Sequence, residues 1–419
     1  MRISILSDFH FGYGWNTRLE DDSFQNVKEA LSKCSDSDLI LIAGDIFDSR
    51  NPRTETWAKA LKVLSKPLLS GTKGIKLIDR INKELPEISK RTLSTTSVLV
   101  LHGTHERRTK DQVNAIEALE QTGFLIHLHC NGLVFEKDSQ KVAIQGMSGV
   151  PERYAKQVMD KWGPKPLEGC YNILMLHQSI EPYVYSPLEP PTLNLNNLPE
   201  GFDLIVNGHV HTRDLTKIND TQLLLTGSTI ITQLKKEEAE TAKGFYQIEI
   251  GEETKINFIP LENNRKFFYK ELELKPDVTI RAQIEEVLNE IFKQDFSKKP
   301  IIKIKIFGKE TEIIEKELRE TEKKFYDKAI IYFQKELESE EMTKKIELLR
   351  NLRERKLSVE ETGLQILKKN LDELKFASTF DYESLFKLLS KGESERALDI
   401  ITGEQKTLST FGGEDDNQS

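Results

Sequence analysis

Five short motifs in the first half of the chain carry carboxylates and imidazoles that could bind divalent metal ions. They are Asp8-Phe9-His10, Gly44-Asp45, Gly103-Thr104-His105-Glu106, His177 and Gly208-His209-Val210-His211. Such ligands suit first-row divalent metals such as manganese, iron and zinc, and no thiolate belongs to the set. The combination favours an open, catalytic metal site over a closed, structural one.

Two of these motifs have a spacing that lets both side chains reach one ion. In Asp8-x-His10 and in His209-x-His211, the residues at i and i+2 of an extended segment point to the same side. Any one of the motifs occurs often by chance. Five of them in order, each following an apolar run, predict a single shared metal site.

Strand-length apolar runs lead into the motifs. These runs cover residues 3–6, 39–43, 98–101, 173–176 and 204–206. Helices are predicted between the runs, at 22–33 and 54–64. Because the carboxyl ends of neighbouring parallel strands meet at one edge of a sheet, an α/β fold would bring the motifs together there.

The pattern changes along the chain and predicts four regions. Residues 1–240 form the domain with the motifs, and residues 241–338 form a smaller α/β domain. The strands of the smaller domain are predicted at 245–250, 256–261, 267–274 and 301–306, the first three alternating like antiparallel strands, with a helix at 279–292. Residues 339–403 are predicted to be helical, and residues 404–419 form a polar, acidic tail.

Composition narrows the class of protein. The 419 residues favour more than one domain, and the net charge of −8 means that a polyanion would have to meet local basic patches or bound metal. The three cysteines are far apart and form no C-x-x-C pair, so neither a disulfide framework nor a structural zinc site is indicated, and a reducing cytosol fits. We expect neither an export signal nor a membrane span, because no apolar stretch is long enough.

The order D-x-H, G-D, G-x-H-E, H and G-H-x-H resembles that of the calcineurin-like metallophosphoesterases. Residues 44–48, 202–211, 226–229 and 243–246 are similar to the Mre11/SbcD nucleases of DNA double-strand break repair, and the length is similar to that of archaeal members. The motif-level resemblance covers roughly residues 1–250. It implies a β-sandwich core flanked by helices, a smaller α/β capping domain that contributes to DNA binding, and C-terminal helices.

The resemblance also implies roles for the site residues. Asp8, His10, Asp45 and His211 would bind one metal ion, with Asp45 bridging to a second ion held by His177 and His209, and both ions are expected to be Mn²⁺. His105 would donate a proton to the leaving oxygen. Thr104 stands where the family usually has Asn. A hydroxyl is a poorer metal ligand than the amide oxygen of that Asn. Two interpretations of Thr104 are open: it is a weak ligand of the second ion, or it is simply a turn residue.

Other histidines and several basic residues have less specific surroundings. His102 is expected to support a strand end, and His127 and His129 are expected to be structural. The side chains that could contact DNA phosphates are Arg50, Arg53, Arg107, Arg108 and Ser228. Singly, each arginine fits an ordinary solvated surface as well, and Ser228 could merely cap a turn.

The C-terminal region carries apolar stripes at helical spacing. They consist of Leu364, Leu367, Leu371, Tyr382, Leu385, Phe386 and Leu389. The family's partner is a coiled-coil ABC-type ATPase of the Rad50 type, and we expect these stripes to bind it; the alternative is that they pack back on the smaller domain. The family also forms homodimers, for which the helix at 54–64 with Trp57 and Leu61 is a candidate contact.

The tail contains a short motif that resembles a sliding-clamp binding peptide. Gln405, Leu408 and Phe411 match Q-x-x-L-x-x-F, although Gly412 stands where a second aromatic residue is usual. A chance match is the alternative interpretation, since motifs of this length recur in unrelated tails.

The function predicted from these features is that of a manganese-dependent DNA exonuclease and endonuclease acting on double-stranded and single-stranded DNA ends in break repair. A cytoplasmic, nucleoid-associated location in an archaeal-type prokaryote is expected. Two alternatives stay open. One is another binuclear metallophosphoesterase, either a phosphatase or a cyclic-nucleotide phosphodiesterase. The other is a non-catalytic repair scaffold with a decayed site.

Overall fold

The computed structural model describes residues 1–109, 112–184, 191–275, 277–309, 313–338, 359–373, 381–390 and 392–402. The described residues form two compact units. One comprises residues 1–307 and 313–336, and the other contains the three C-terminal helices.

Two large sheets form the centre of the first unit. The six-stranded sheet has the order β15 (Lys255–Pro260), β14 (Gly244–Glu249), β1 (Arg2–Leu6), β2 (Leu39–Ile42), β4 (Ser97–Val100) and β5 (Ile126–His127). The seven-stranded sheet has the order β12 (Arg213–Ile218), β13 (Thr221–Thr226), β11 (Leu204–Asn207), β8 (Tyr171–Leu176), β7 (Gln140–Met147), β6 (Asn131–Lys137) and β3 (Lys76–Ile81). The strands that lead into the five motifs, β1, β2, β4, β8 and β11, are parallel to their central neighbours.

The two sheets pack face to face, because the strands alternate between two apolar surfaces. In β2, Leu39 and Leu41 join a core shared with Ile144 and Met175 of the other sheet, whereas Ile42 lies in the core on the helical side. This alternation follows from the two-residue period of a strand. The predicted β-sandwich of a calcineurin-like fold is thereby confirmed.

Helices cover both outer faces of the sandwich. The first sheet is covered by α1 (Asp22–Lys33), α2 (Thr54–Leu64) and α4 (Ala115–Gln121), and the second by α5 (Glu152–Trp162). Two short helices, α3 (Lys90–Leu93) and α6 (Lys236–Glu240), and the two-stranded sheet of β9 (Ile180–Glu181) and β10 (Leu193–Asn194) lie in the connections. The flanking helices at 22–33 and 54–64 therefore lie where the sequence predicts them.

The placement of two strands differs from the prediction. Residues 245–250 and 256–261 were expected to begin the smaller domain, but β14 pairs antiparallel with β1, and β15 pairs with β14. These strands therefore complete the six-stranded sheet. Alternation alone shows that a strand has one buried face, and it does not show which sheet the strand will join.

A three-stranded sheet forms the smaller α/β part. It consists of β16 (Phe267–Glu273), β17 (Ile301–Lys309) and β18 (Ile330–Glu338), with α7 (Ile280–Ile291) and α8 (Ile314–Phe325). β16 pairs parallel with β17, although antiparallel pairing was expected from its alternating pattern. Phe267, Ile301 and Ile330 pack against Leu19 and Ile231 of the larger part in one apolar cluster.

One arginine ties the smaller part to the start of α1. Nε and Nη2 of Arg265 donate to the Asp22 carboxylate at 2.6 and 2.9 Å, and both side chains are about nine-tenths buried, with 10% and 9% exposed. The same guanidinium donates to the carbonyl oxygens of Lys299 and Arg18 at 2.5 and 3.1 Å. The planar, five-donor guanidinium is the side chain suited to hold all three groups.

The substitution Arg265→Met is therefore expected to lower the free energy of unfolding by about 3–5 kcal/mol, because it leaves the buried Asp22 carboxylate without its bidentate partner. Urea denaturation followed by circular dichroism measures the change. Arg281→Met removes a more exposed ion pair with Glu285 and serves as the matched control, with little change expected. Equal stability of Arg265→Met and wild type would contradict the interpretation.

The second unit contains α9 (Val359–Glu373), α10 (Tyr382–Ser390) and α11 (Ser394–Thr402). α9 and α10 come close at Gly363, where an added Cβ would lie 2.7 Å from Cζ of Phe386. Most residues of the C-terminal apolar stripes are half-buried. Leu389 is 53% exposed, and Leu398 and Ile401 are exposed to a similar extent. Among the described residues, no helix has the length and apolar character needed to cross a membrane.

Candidate metal centre

The five motifs lie together at the carboxyl edge of the two sheets. Asp8, His10, Asp45 and His209 all have left-handed backbones, with φ values of 53°, 47°, 49° and 71°. Residues with a Cβ rarely adopt this conformation, and such strain concentrates at functional sites. All four side chains are buried.

The glycines of the motifs allow close approach of neighbouring loops. A Cβ on Gly44 would lie 2.2 Å from Nδ1 of His177, and one on Gly103 would lie 2.1 Å from Oδ1 of Asp45. At Gly208 it would lie 2.2 Å from the carbonyl oxygen of Ala43. Because any side chain would displace a candidate ligand or the strand end, glycine is required by space at each position.

The first candidate ligand group consists of Asp8, His10 and His211. Nε2 of His10 and Nε2 of His211 lie 3.1 Å apart, and Oδ1 of Asp8 lies 3.9 and 3.5 Å from them. This buried Oδ1 accepts no hydrogen bond of ordinary geometry from the described residues. Three electron-pair donors that converge in this way fit a divalent cation.

The second candidate group consists of Asp45, His177 and His209. Nε2 of His177 lies 3.2 Å from Oδ2 of Asp45. The other ring nitrogen of His177 donates to the Ala43 carbonyl at 2.5 Å, so that Nε2 is the nitrogen available to a metal ion. His209 is held through Nε2, which lies 3.1 Å from the Ser179 hydroxyl, and turns Nδ1 to the site.

Thr104 lies inside the second group. Its Oγ1 is 3.4 Å from Oδ2 of Asp45, 3.5 Å from Nε2 of His177 and 3.3 Å from Nδ1 of His209. Thr104 lies in the turn at 104–106, and its side chain nevertheless faces these three groups. The hydroxyl is therefore placed where a neutral oxygen ligand could act.

His105 lies at the exposed edge of the first group. Its backbone N–H donates to Oδ1 of Asp45 at 2.9 Å, and Nδ1 of its ring donates to the Asp48 carbonyl at 2.8 Å. The ring centroids of His105 and His10 are 4.9 Å apart. Because the His105 side chain is 39% exposed, its second ring nitrogen can meet a substrate.

Charge inside the site is balanced between buried acids and imidazoles. Burial acts against the charged form of Asp45, but the charge and hydrogen bond of His177, together with the charges of His10 and His105, outweigh it and lower the pKa of Asp45 well below its usual value. For His177, burial is likewise outweighed by several influences together, chiefly the charge and hydrogen bond of Asp45 and the charge of Asp8, which raise the pKa of His177 to about 10. Burial lowers the pKa of His209 to about 3, and it also lowers the pKa of His211. Without a metal ion, His177 therefore favours its charged, doubly protonated form, and the Asp48 hydrogen bond with the charges of Asp45 and Asp8 raises the pKa of His10 as well, against burial.

The stability of the metal-free protein should consequently fall as the pH rises. The pKa of His177 is about 10 in the folded protein and 6.5 in its ordinary state. Its contribution is therefore fully present below pH 6.5 and is lost as the pH approaches 10, at up to about 1.4 kcal/mol per pH unit. Urea unfolding in EDTA across this range measures the slope. His177→Gln should make the slope shallower, with the raised pKa values of His10 and Glu106 accounting for the remainder, and equal slopes in the two proteins would contradict the assignment.

Glu106 was part of a motif but had no predicted role. Oε1 of Glu106 accepts from the backbone N–H of Phe47, and Oε2 accepts from that of Gly103, each at 2.7 Å. Burial and the Asp45 charge raise the pKa of Glu106 to about 8. This carboxyl joins the loops that carry Asp45 and Thr104. Its place in G-x-H-E was the only sequence signal for it.

The predicted DNA-contacting residues have different surroundings. Arg50 and Arg53 are exposed, whereas Arg107 and Arg108 are half-buried. Nη2 of Arg108 donates to Oδ1 of Asn51 and so links the loops on either side of the site. Of the two alternatives for Ser228, these contacts agree with the turn cap: Ser228 is 2% exposed, and its hydroxyl lies 2.6 Å from the Ile230 carbonyl and 2.7 Å from Nζ of Lys243.

The remaining predicted residues fall outside the site. His102 and His127 lie 2.9 Å apart through Nδ1 and Nε2, away from the two ligand groups. Trp57 packs on Phe47 of its own chain, with ring centroids 4.7 Å apart. The clamp-like motif with Gln405, Leu408 and Phe411 lies outside the described residues.

Comparison with known proteins agrees with this site. Residues 1–213 match the calcineurin-like phosphoesterase family. The DNA double-strand break repair protein Mre11 of Methanopyrus kandleri is 27% identical over 64% of this chain and 58% of its own length. The double-strand break repair protein MRE11 of Homo sapiens is 25% identical over 66% of this chain and 43% of its own. The predicted resemblance to Mre11 proteins is confirmed, and the chain spans about half the length of these relatives.

The solved structures to which the chain is similar are more distant in sequence. A putative 5'-nucleotidase from Staphylococcus aureus is 12% identical, with a TM-score of 0.36 over 70% of this chain and 58% of its own. An archaeal phosphodiesterase is 11% identical, with a TM-score of 0.29 over 62% of this chain and 100% of its own.

Proposed function

Because the chain belongs to the calcineurin-like phosphoesterase family, we propose that it is a metal-dependent DNA nuclease that hydrolyses phosphodiester bonds at DNA ends in double-strand break repair. The observation that carries the proposal is the pair of adjacent ligand groups, Asp8, His10 and His211 beside Asp45, His177 and His209. The similarity to Mre11 proteins supports DNA as the substrate.

The ligand groups would hold two divalent ions, for which we propose Mn²⁺, with Asp45 shared between them and Thr104 as a neutral ligand of the second. When bound, such ions stabilise negative charge on the attacking and leaving oxygens of a phosphodiester and make water a stronger acid. His105 is the proton donor to the leaving oxygen, because it is the exposed imidazole beside both groups. The carbonyl of Asp48 orients its ring.

The chain offers basic side chains on both sides of this centre. Arg50 and Arg53 lie on the loop before α2, and Arg107 and Arg108 follow His105 directly. We propose that they bind phosphates that flank the scissile bond, since arginine pairs with phosphate through parallel hydrogen bonds. The Arg108–Asn51 hydrogen bond would keep the two loops in register.

The function is tested by comparing substrates. Purified full-length protein is incubated with Mn²⁺, Mg²⁺ or EDTA and with blunt duplex, overhanging, hairpin or single-stranded DNA, and a nitrophenyl phosphodiester is tested in parallel. Cleavage of DNA that requires Mn²⁺ supports the proposal. Turnover of the small ester without cleavage of any DNA would favour a phosphatase or cyclic phosphodiesterase, and an inert protein would favour a scaffold.

The proposed assembly includes a homodimer and a coiled-coil ATPase of the Rad50 type. The apolar stripe on α9 and α10, which includes Leu364, Leu367 and Leu385, is the proposed docking surface, and the exposed Leu389 extends it. Deletion of residues 340–419 should abolish co-purification with the ATPase from the same organism. The point variant Leu389→Asp in the full chain should weaken it, whereas retained binding in both would refute the placement.

The tail motif and the location complete the proposal. Gln405, Leu408 and Phe411 are proposed to bind a sliding clamp, and calorimetry with a peptide of residues 400–419 tests this directly. A flat titration would end that part of the proposal. We propose a cytoplasmic, nucleoid-associated location in an archaeal-type cell.

A further inference from the structure

A buried ion pair adjoins the first ligand group. Nζ of Lys243 lies 2.7 Å from Oε1 of Glu238, and only 1% and 2% of the two side chains are exposed. Replacing such a pair by apolar residues of similar volume is often neutral or stabilising. Stabilisation of the fold is therefore a weak explanation for this ion pair. The other hydrogen bonds of the two residues indicate a different role for it.

Lys243 holds the loop that carries a candidate metal ligand. Besides Glu238, its ammonium donates to the carbonyl oxygen of His211 at 3.0 Å and to the hydroxyl of Ser228 at 2.7 Å. The three N–H donors of a lysine ammonium are thus all used. These three hydrogen bonds connect Lys243, just before β14, to the loop after β11, the loop after β13 and α6.

Glu238 holds the other side of the same ligand. Its Oε2 accepts from the backbone N–H groups of Gln233 and Leu234 at 2.8 and 2.9 Å. The residue before them, Thr232, places Oγ1 2.7 Å from Nδ1 of His211. With Nδ1 bonded to this hydroxyl, Nε2 of His211 is the nitrogen that faces Asp8 and His10.

We propose that Lys243 and Glu238 form a brace that positions His211 for metal binding, through its carbonyl on one side and through Thr232 on the other. The inference rests on the proposed function, because it takes the first ligand group to be a metal site. Lys243 and Glu238 are positioning residues that act on His211. At 2% exposure each, neither can contact DNA, the role that a lysine next to a nuclease site would otherwise suggest.

The test measures metal affinity in the absence of DNA. Binding of Mn²⁺ to full-length protein is titrated calorimetrically for wild type, Lys243→Met, Thr232→Val and Thr232→Ser. Loss of the hydrogen-bond partner of a ligating histidine typically weakens metal binding about 10–100-fold, and we expect a loss in this range for Lys243→Met and Thr232→Val. Thr232→Ser keeps the hydroxyl and should bind like wild type.

Wild-type affinity in Thr232→Val, or in folded Lys243→Met, overturns the proposal. If Lys243→Met does not fold, the comparison of Thr232→Val with Thr232→Ser decides whether the proposal holds, because valine has the shape of threonine without its hydroxyl. Lys83→Met is the matched control, because Lys83 is also buried and pairs with Glu120 at 3.0 Å outside the ligand groups. It should lower the melting temperature without weakening Mn²⁺ binding.

The outcome is separable from that of the proposed nuclease function. Metal affinity is read without substrate, so a protein that binds Mn²⁺ but cleaves no DNA would refute the nuclease and leave the brace in place. A protein that cleaves DNA but whose Thr232→Val variant binds metal normally would refute the brace alone.

Discussion

The substitution His105→Asn is expected to lower kcat for DNA cleavage by about 10²–10⁴-fold, the usual contribution of a positioned proton donor. His105 is the partly exposed imidazole at the rim of the site, and its ring is oriented through Nδ1 by the Asp48 carbonyl at 2.8 Å. Asparagine retains the backbone N–H that donates to Asp45, so the ligand geometry should survive. Gel-based cleavage of a duplex oligonucleotide at saturating Mn²⁺ measures the change.

This prediction separates proton donation from metal binding. The affinity of His105→Asn for Mn²⁺, measured by calorimetry, should equal that of wild type, because the side chain is assigned to neither ion. His129→Asn is the matched control, since His129 also has an exposed side chain but lies beside His102. Full activity of His105→Asn, or a parallel loss of metal binding, would show that the proton comes from elsewhere or that His105 is a ligand.

The substitution Asp45→Asn is expected to abolish both metal binding and cleavage. Asp45 contacts His177, the hydroxyl of Thr104 and the backbone N–H of His105, and it is the proposed shared ligand. Its loss should weaken Mn²⁺ binding by more than the roughly 10–100-fold that loss of an outer hydrogen-bond partner costs. Calorimetry and DNA cleavage measured over a range of Mn²⁺ concentrations test the expectation.

A second readout of the same variant needs no metal. The charge of Asp45 is the largest influence that raises the pKa of His177 against burial. In Asp45→Asn, burial should therefore prevail and the pKa of His177 should fall, which an NMR titration of the imidazole in EDTA detects. Asp220→Asn, at an exposed acid outside the ligand groups, controls for the loss of one carboxylate. Unchanged metal affinity in Asp45→Asn would remove the shared-ligand role.

Three buried acids in and around the site differ in their partners and in the direction of their pKa shifts. Asp45 faces the imidazoles, whereas Glu106 faces two backbone N–H groups and Glu238 faces a lysine. Their pKa values shift in different directions for that reason: burial and the Asp45 charge raise the pKa of Glu106 to about 8, whereas Lys243, with His211 and the backbone of Gln233, lowers the pKa of Glu238 against burial. The proposed ligand Asp45 is thus distinguished from Glu106 and Glu238 by the groups that surround its carboxylate.

The sequence by itself determined the candidate ligand set and the kind of fold. The acids and imidazoles at 8, 10, 45, 177, 209 and 211 follow apolar runs of strand length, and parallel strands deliver their carboxyl ends to one edge. The continuous apolar runs themselves predict strands that are buried on both faces. Both inferences depend on residue type and spacing, which are properties of the sequence and do not depend on tertiary contacts.

Only the tertiary structure decided which partners these local features would meet. It assigned β14 and β15 to the six-stranded sheet and placed Thr104 within 3.5 Å of three candidate ligands. It also buried Lys243, which donates to the carbonyl of His211 and to the hydroxyl of Ser228. The cause is that burial, pairing and pKa shifts arise from contacts between residues far apart in sequence. Lys243 shows this most directly: its type predicts an exposed cation, and its position in the fold makes it an internal hydrogen-bond donor.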